Sequence, residues 1–333
     1  MSSPFQGYFR SQNCRRELYT ALRLRKPIVV IRETNAERGG LSVHEFTEEC
    51  RLACVDEAPD SYPDYQGPHE AISAVFAEET IPWIRVAGFQ MESLKLVALR
   101  TLRHLPYYTA HPHELSKGLR VPGEIALVAL KAPYTLLVSS FNEGADGPAA
   151  EIKTAAEEAG GAGSIIIDDA ESALPDNTTR PSRRTAMLLY LTTTTFLDSR
   201  GELARIIRRA INLNVTIVML HEQDPTRGGV SFREIIAQTP RELRLPPFQL
   251  YDTLAIPLYP MKEHRRISIR HTIRAIAAAT PVARQIMVAR TDSANIVLGR
   301  GSSIFELPKP EKAASIIHGR NTAMDESSES RRI

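Results

Sequence analysis

The chain has 333 residues, 43% of them apolar and 24% charged, with a formal net charge of +2. That length is ample for two domains with cores of their own, and the near-neutral charge gives no drive toward nucleic acid or an anionic membrane surface. No apolar run approaches the roughly 20 residues a membrane-spanning helix requires, and the N-terminal residues lack the basic start and apolar stretch of a secretory signal. The three cysteines, Cys14, Cys50 and Cys54, are odd in number, and the last two have helical spacing. They read as reduced thiols of a cytoplasmic protein.

In chain order, an amphipathic helix is predicted over 14–24. The apolar run Ile-Val-Val-Ile at 28–31 follows, the pattern of a strand covered on both faces of a parallel sheet. A polar loop ends in Arg38-Gly39-Gly40, and Ser42 then stands where a helix N-cap would, with Glu45 three residues on, the spacing of a capping box. Residues 55–69, which contain DEAPDSYPDYQGPH, read as an acidic, exposed surface loop, and a second strand is expected at 81–86. Two strands cannot cover both faces of their own sheet. This unit is therefore expected to dock on the rest of the chain or to follow further sequence before Met1. Residues 105–132 form a connector with a short strand at 124–130. His111 and His113 within it lack the further ligands a metal site needs.

The second half alternates regularly. Strands are predicted at 134–139, 164–168, 186–192, 215–220 and 253–258, and helices at 148–159, 200–213, 231–238 and 263–277, with an irregular crossover at 170–184. Five strands with intervening helices imply an open, doubly wound α/β sheet whose ligand edge is the C-terminal end of the strands. The threonines at 192–195 read as strand end and turn, and His264-Arg265-Arg266 as an exposed helix start. After about 280 the pattern loosens, apart from the strand-like NIVLG at 295–299. The boundaries that follow are 1–118, 119–280 and 281–333.

The strongest signal is an internal repeat. Laid without a gap on residues 210–235, residues 21–46 are identical at ten of 26 positions: Ala21, Leu24, Ile28, Val29, Glu33, Arg38, Gly39, Gly40, Ser42 and Glu45. Each copy reads helix, strand, glycine turn, capped helix. Glu33 and Glu222 end the paired strands, a repetition that reflects loop architecture more than chemistry.

The stretch SQNCRREL at 11–18, with Tyr8 and Phe9 before it and a helix running to KPIVVI after it, resembles the end of the third strand and the third helix of Toll/interleukin-1 receptor (TIR) domains. The Ser-x-x-Cys-x-x-Glu-Leu pattern of that family falls on Ser11, Cys14, Glu17 and Leu18, with Asn13 where tryptophan is frequent. LLVSSFNEGADGPAAEI and MLLYLTTTTF stand where a complete domain has its first and third strands. The tandem arrangement is similar to TIR-like segments of large algal and other protist proteins. The resemblance covers 8–278 and implies a flavodoxin-like, five-stranded parallel sheet beside an N-terminally truncated second copy.

The resemblance also implies two functional classes. Many TIR domains are interaction modules that assemble with other TIR domains in signalling or scaffolding. Others cleave the nicotinamide-ribose bond of NAD, using a third-helix glutamate to stabilise the oxocarbenium-like charge. By motif match that glutamate is Glu17. In the second copy the gapless alignment places Ile206 opposite it, and the nearest carboxylate is Glu202, about one helical turn away. The NAD-contacting loop would be the one after the first strand of the complete copy, with Ser139, Ser140, Asn142 and Gly144. That loop, FNEGADG in part, lacks both GxGxxG spacing and a P-loop lysine, and Glu143 and Asp146 disfavour an anion. The reading preferred from the sequence is a non-catalytic interaction module, with NAD cleavage as the alternative.

Overall fold

The computed structural model describes residues 7–54, 62–174, 184–197 and 200–278, all within one compact unit. The first half contains α1 (Gln12–Arg23), β1 (Ile31–Glu33), α2 (Val43–Ala53), α3 (Pro68–Val75), β2 (Ile81–Trp83) and α4 (Ala87–Leu102). The short helices α5 (Pro106–Ala110) and α6 (Pro112–Ser116) lead out of it. The second half runs β3 (Tyr134–Val138), α7 (Asp146–Gly160), β4 (Ile165–Asp169), α8 (Ala170–Ala173), β5 (Thr185–Leu191), α9 (Glu202–Asn212) and β6 (Thr216–Glu222). It closes with α10 (Phe232–Gln238), α11 (Arg241–Arg244), β7 (Ile256–Leu258) and α12 (Lys262–Ala278).

The strand order β4-β3-β5-β6-β7, all parallel, is that of a doubly wound sheet. Side chains alternate between two cores, as the twofold repeat of a strand requires. Leu136, Val138, Leu188 and Tyr190 face α7 and α12, while Leu137, Met187, Leu189 and Leu191 face α8 to α11. All seven residues of β5 are buried. Each leucine there contributes about 1.5–3 kcal/mol by leaving water.

In the first half β1 and β2 form a two-stranded parallel sheet. One core gathers Phe9, Leu18, Tyr19, Leu22, Cys50 and Cys54 from the segment around α1 and α2. The other joins the two halves: Ile84, Phe89 and Ile125 pack with Ile267 of α12, which provides the expected docking. The two repeat segments share their local geometry. Ile31 pairs with Ile81 and Leu220 with Ile256, so the strand partner carries Ile-Pro in both cases. Each β-strand is followed by an Asn35 or Asp224 side chain that accepts the N–H two residues on, then one 3-10 turn. Gly39 and Gly228 then take left-handed φ of 79° and 82°. At Gly40 and Gly229 a Cβ would lie 2.7 Å from the carbonyl oxygen of Asn35 or Asp224, which is why a second glycine is needed. Both capping boxes form, Ser42 with Glu45 and Ser231 with Glu234.

Four local expectations differ from the structure. The first strand lies at 31–33 rather than 28–31, because residue-by-residue pairing with β2 begins at Ile31; before it the Val30 carbonyl accepts the Ile81 N–H at 2.9 Å. Residues 124–130 are not a strand; the segment has no neighbour to pair with and instead inserts Ile125 and Leu130 into two cores. The 55–69 segment is not wholly a surface loop: Tyr65 is buried against Tyr19 and donates to the Cys54 carbonyl at 3.0 Å, while residues 55–61 lie outside the described residues. His264 is fully buried rather than exposed, because α4 covers it. The strand-like segment at 295–299 also lies outside the described residues.

Candidate functional site

The C-terminal edge of the five-stranded sheet carries the polar residues singled out from the sequence. Gly144 has a left-handed φ of 78°, and its α-carbon lies so close to the Tyr190 ring that a Cβ would meet Cε1 at 3.4 Å. Asn142 is 2% exposed and reaches β5: its Nδ2 donates to the Tyr190 carbonyl at 2.8 Å, and its Oδ1 accepts the Tyr190 N–H at 2.7 Å. Ser139, also 2% exposed, donates from Oγ to Glu171 at 2.5 Å and accepts the Phe141 N–H at 3.2 Å. Ser140 is exposed, and its backbone N–H points to the same Glu171 carboxylate at 3.4 Å. The loop is thus bound down onto the sheet through its own side chains.

Beneath it lies a buried ionic network. Glu222, fully buried at the end of β6, accepts the Tyr190 hydroxyl at 2.6 Å and the backbone N–H groups of Gln223 and Asp224 at 3.0 and 2.9 Å. Arg265 of α12 stands 3.5 Å from Glu222 and forms a two-pronged pair with Glu151 of α7 at 2.7 and 2.9 Å. Burial works against the Arg265 charge, but the Glu151 and Glu222 carboxylates overcome it and hold its pKa above the ordinary value. Burial, with the Glu222 hydrogen bond, pushes the Tyr190 phenol up, so it stays a donor. Glu33 repeats the motif in the first half: it accepts the N–H groups of Thr34 and Asn35 at 3.0 and 2.9 Å and pairs with Arg85 at 2.7 Å.

At the end of β4, Asp169 caps α8 by accepting the Ser172 N–H at 2.8 Å. A hydrogen bond from Glu171, with those from Ser172, holds Asp169 down to about 2. Burial, then the Asp169 contact, raises the Glu171 carboxyl. Threonines 192–195 close the β5 end: Thr195 Oγ1 donates to the Tyr190 carbonyl at 3.0 Å and accepts the Thr192 N–H at 2.6 Å.

The two glutamates proposed from the resemblance lie elsewhere. Glu17 is exposed on α1, without a hydrogen-bond or ion-pair partner among the described residues. Its repeat counterpart Ile206 is 3% exposed in the core with Leu137 and Met187. Helix α9 packs on β6 and buries that position in the core of the five-stranded sheet, whereas α1 lies beside a sheet of only two strands. Glu202 starts α9 and pairs with Arg205 at 2.7 Å on the surface. Neither reaches the loop that holds Ser139, Asn142 and Gly144 through any hydrogen bond or ion pair among those found for the described residues. Sequence reading marked Glu222 but missed Tyr190, Glu151 and Arg265, which lie on separate elements.

Among the described residues no cluster of three or more His, Cys, Asp or Glu side chains is placed to hold a metal, and no helix is long and apolar enough to cross a membrane. No family model, no curated protein and no solved structure matches the chain.

Proposed function

We propose that this chain is a TIR-like protein-interaction module, made of one complete flavodoxin-like domain and one truncated copy, that assembles with other TIR-like domains in signalling or scaffolding. The reading rests on the SQNCRREL resemblance, the strand order and the shared geometry of the two repeat segments. The observation that carries its non-catalytic part is the loop after β3. Asn142 spends both its polar groups on the Tyr190 backbone, and Ser139 is taken by Glu171. A ribose or phosphate entering there would have to displace these buried bonds, each costing about 1–3 kcal/mol to leave unmade.

The test is incubation of the purified chain with NAD, following nicotinamide release for wild type, Glu17→Ala and Glu202→Ala. Parallel light scattering across protein concentration follows assembly. The expected result is release at the buffer rate in all three, with mass rising with concentration. Release that either substitution abolishes would replace this reading with NAD cleavage.

A further inference from the structure

The joint between α4 and α12 is built around two histidines. The Phe89 ring, 2% exposed, sits 4.9 Å from Tyr259, 5.6 Å from His271 and 6.5 Å from His264, the last stacked at 17°. Ser93 on α4, fully buried, has its Oγ 2.6 Å from the Pro82 carbonyl, 3.2 Å from the Phe89 carbonyl and 3.1 Å from His264 Nε2. A hydroxyl has one proton, and the short contact to Pro82 takes it. The Ser93 oxygen is then an acceptor toward His264, which fixes the ring proton on Nε2. His264 Nδ1 is left as a bare, buried nitrogen with no hydrogen-bond partner among the described residues. At Gly88 a Cβ would fall 2.3 Å from Ile125 and 3.1 Å from His271, so the joint is closely packed.

We propose that this joint is an acid-opened latch: protonation of His264 at Nδ1 places a second N–H donor where, among the described residues, no acceptor stands in hydrogen-bonding position, and releases α4, with the β1–β2 unit, from α12.

The surrounding charges divide between the two outcomes. From α4 come Glu92 and Lys95, the latter paired with Glu124 at 3.0 Å. From α12 come Glu263, Arg270, His271 and Arg274, while Arg265 is held by Glu151 of α7. At the outer end Glu263 lines a cleft of about 300 Å³ with Glu79, Arg100 and Arg103. Burial raises the Glu92 carboxyl, so Glu92 takes its proton more readily docked than free and by itself favours docking as pH falls, against His264. Burial, then Arg274, lowers His271. Burial likewise brings His264 down to about 4, against the opposing pulls of Glu263 and of the Phe89 backbone. A base whose docked pKa lies below its free value near 6.5 keeps full docking strength above 6.5 and loses it as pH falls toward 4. For His264 alone the docking constant drops on the order of a hundredfold between pH 7 and pH 4.

The single tryptophan, Trp83 on β2, is a natural reporter next to Pro82. The full chain is titrated from pH 7.5 to 4, following Trp83 emission, the radius of gyration by X-ray scattering and far-UV circular dichroism. The expected result is expansion and an emission shift while helical signal persists, with the midpoint moved to lower pH in His264→Gln, whose amide still donates to Ser93. Superimposable profiles for wild type and His264→Gln would overturn the proposal, as would loss of helical signal in step with expansion. Should His264→Gln fail to fold at pH 7.5, the wild-type imidazole resonances decide. Opening coincident with His264 proton uptake supports the latch, and opening at a pH where His264 stays neutral refutes it.

Discussion

The Glu222 network invites a matched pair of substitutions, because the chain contains the same motif in a buried and in a partly exposed setting. Glu222→Ala leaves two donors without an acceptor, the buried Tyr190 hydroxyl and the half-buried Asp224 N–H, while the Gln223 N–H keeps the Leu258 carbonyl at 3.0 Å. It also removes one of the two carboxylates beside Arg265, although Glu151 still holds that guanidinium. At about 1–3 kcal/mol for each of the two unmade bonds, with some relief from rearrangement, the expected loss of stability is about 2–4 kcal/mol. Glu33→Ala deletes the equivalent two backbone bonds and the Arg85 pair, but the Glu33 side chain is 21% exposed and Arg85 48%, so water replaces what is lost. The expected cost there is about 1 kcal/mol or less. Urea unfolding followed by circular dichroism measures both. Equal losses, or a larger loss for Glu33→Ala, would show that burial does not set the strength of this motif and would refute the reasoning.

Asn142→Ala should cost about 2–3 kcal/mol and raise the exchange rate of the Tyr190 amide, while Asn142→Asp should also destabilise, since a carboxylate cannot donate to the Tyr190 carbonyl. Glu17→Ala should change unfolding free energy by no more than about 0.5 kcal/mol, as expected for an exposed, unpaired side chain. Of the three thiols, only half-buried Cys14 should react with a colorimetric disulfide reagent in the native protein. Cys50 and Cys54 are fully buried, and the hydrogen bond with Cys54, then burial, pushes the Cys50 thiol up; unfolding should release both.

The parts of the fold legible in the sequence are those set by local pattern. Continuous apolar runs marked β3, β5 and β6, and Ser-x-x-Glu marked both capping boxes, because backbone hydrogen bonding and helix capping are decided within a few residues. The repeat made the glycine turns legible twice over. The parts that were not legible depend on distant partners. His264 looked like a surface residue between Glu263 and two arginines, and only Ser93, 171 positions away, makes it a buried one. Asn142 looked like a loop residue available to a ligand until Tyr190, 48 positions on, took both ends of its amide. Glu17 carries the family-like motif, yet its surroundings are set by which strands lie beside α1, something no local pattern encodes.

The shared geometry of the two strand-turn-helix segments raises a question of folding fidelity. A newly made chain holds two candidates for the slot between β5 and β7, since β1 and β6 share their register toward an Ile-Pro strand. If α1 and β1 entered that slot, Glu17 would take the place of Ile206 against Leu137 and Met187. An unpaired carboxylate there costs on the order of several kcal/mol, enough to expel the wrong segment. That cost would bias each copy toward its own position while the chain assembles.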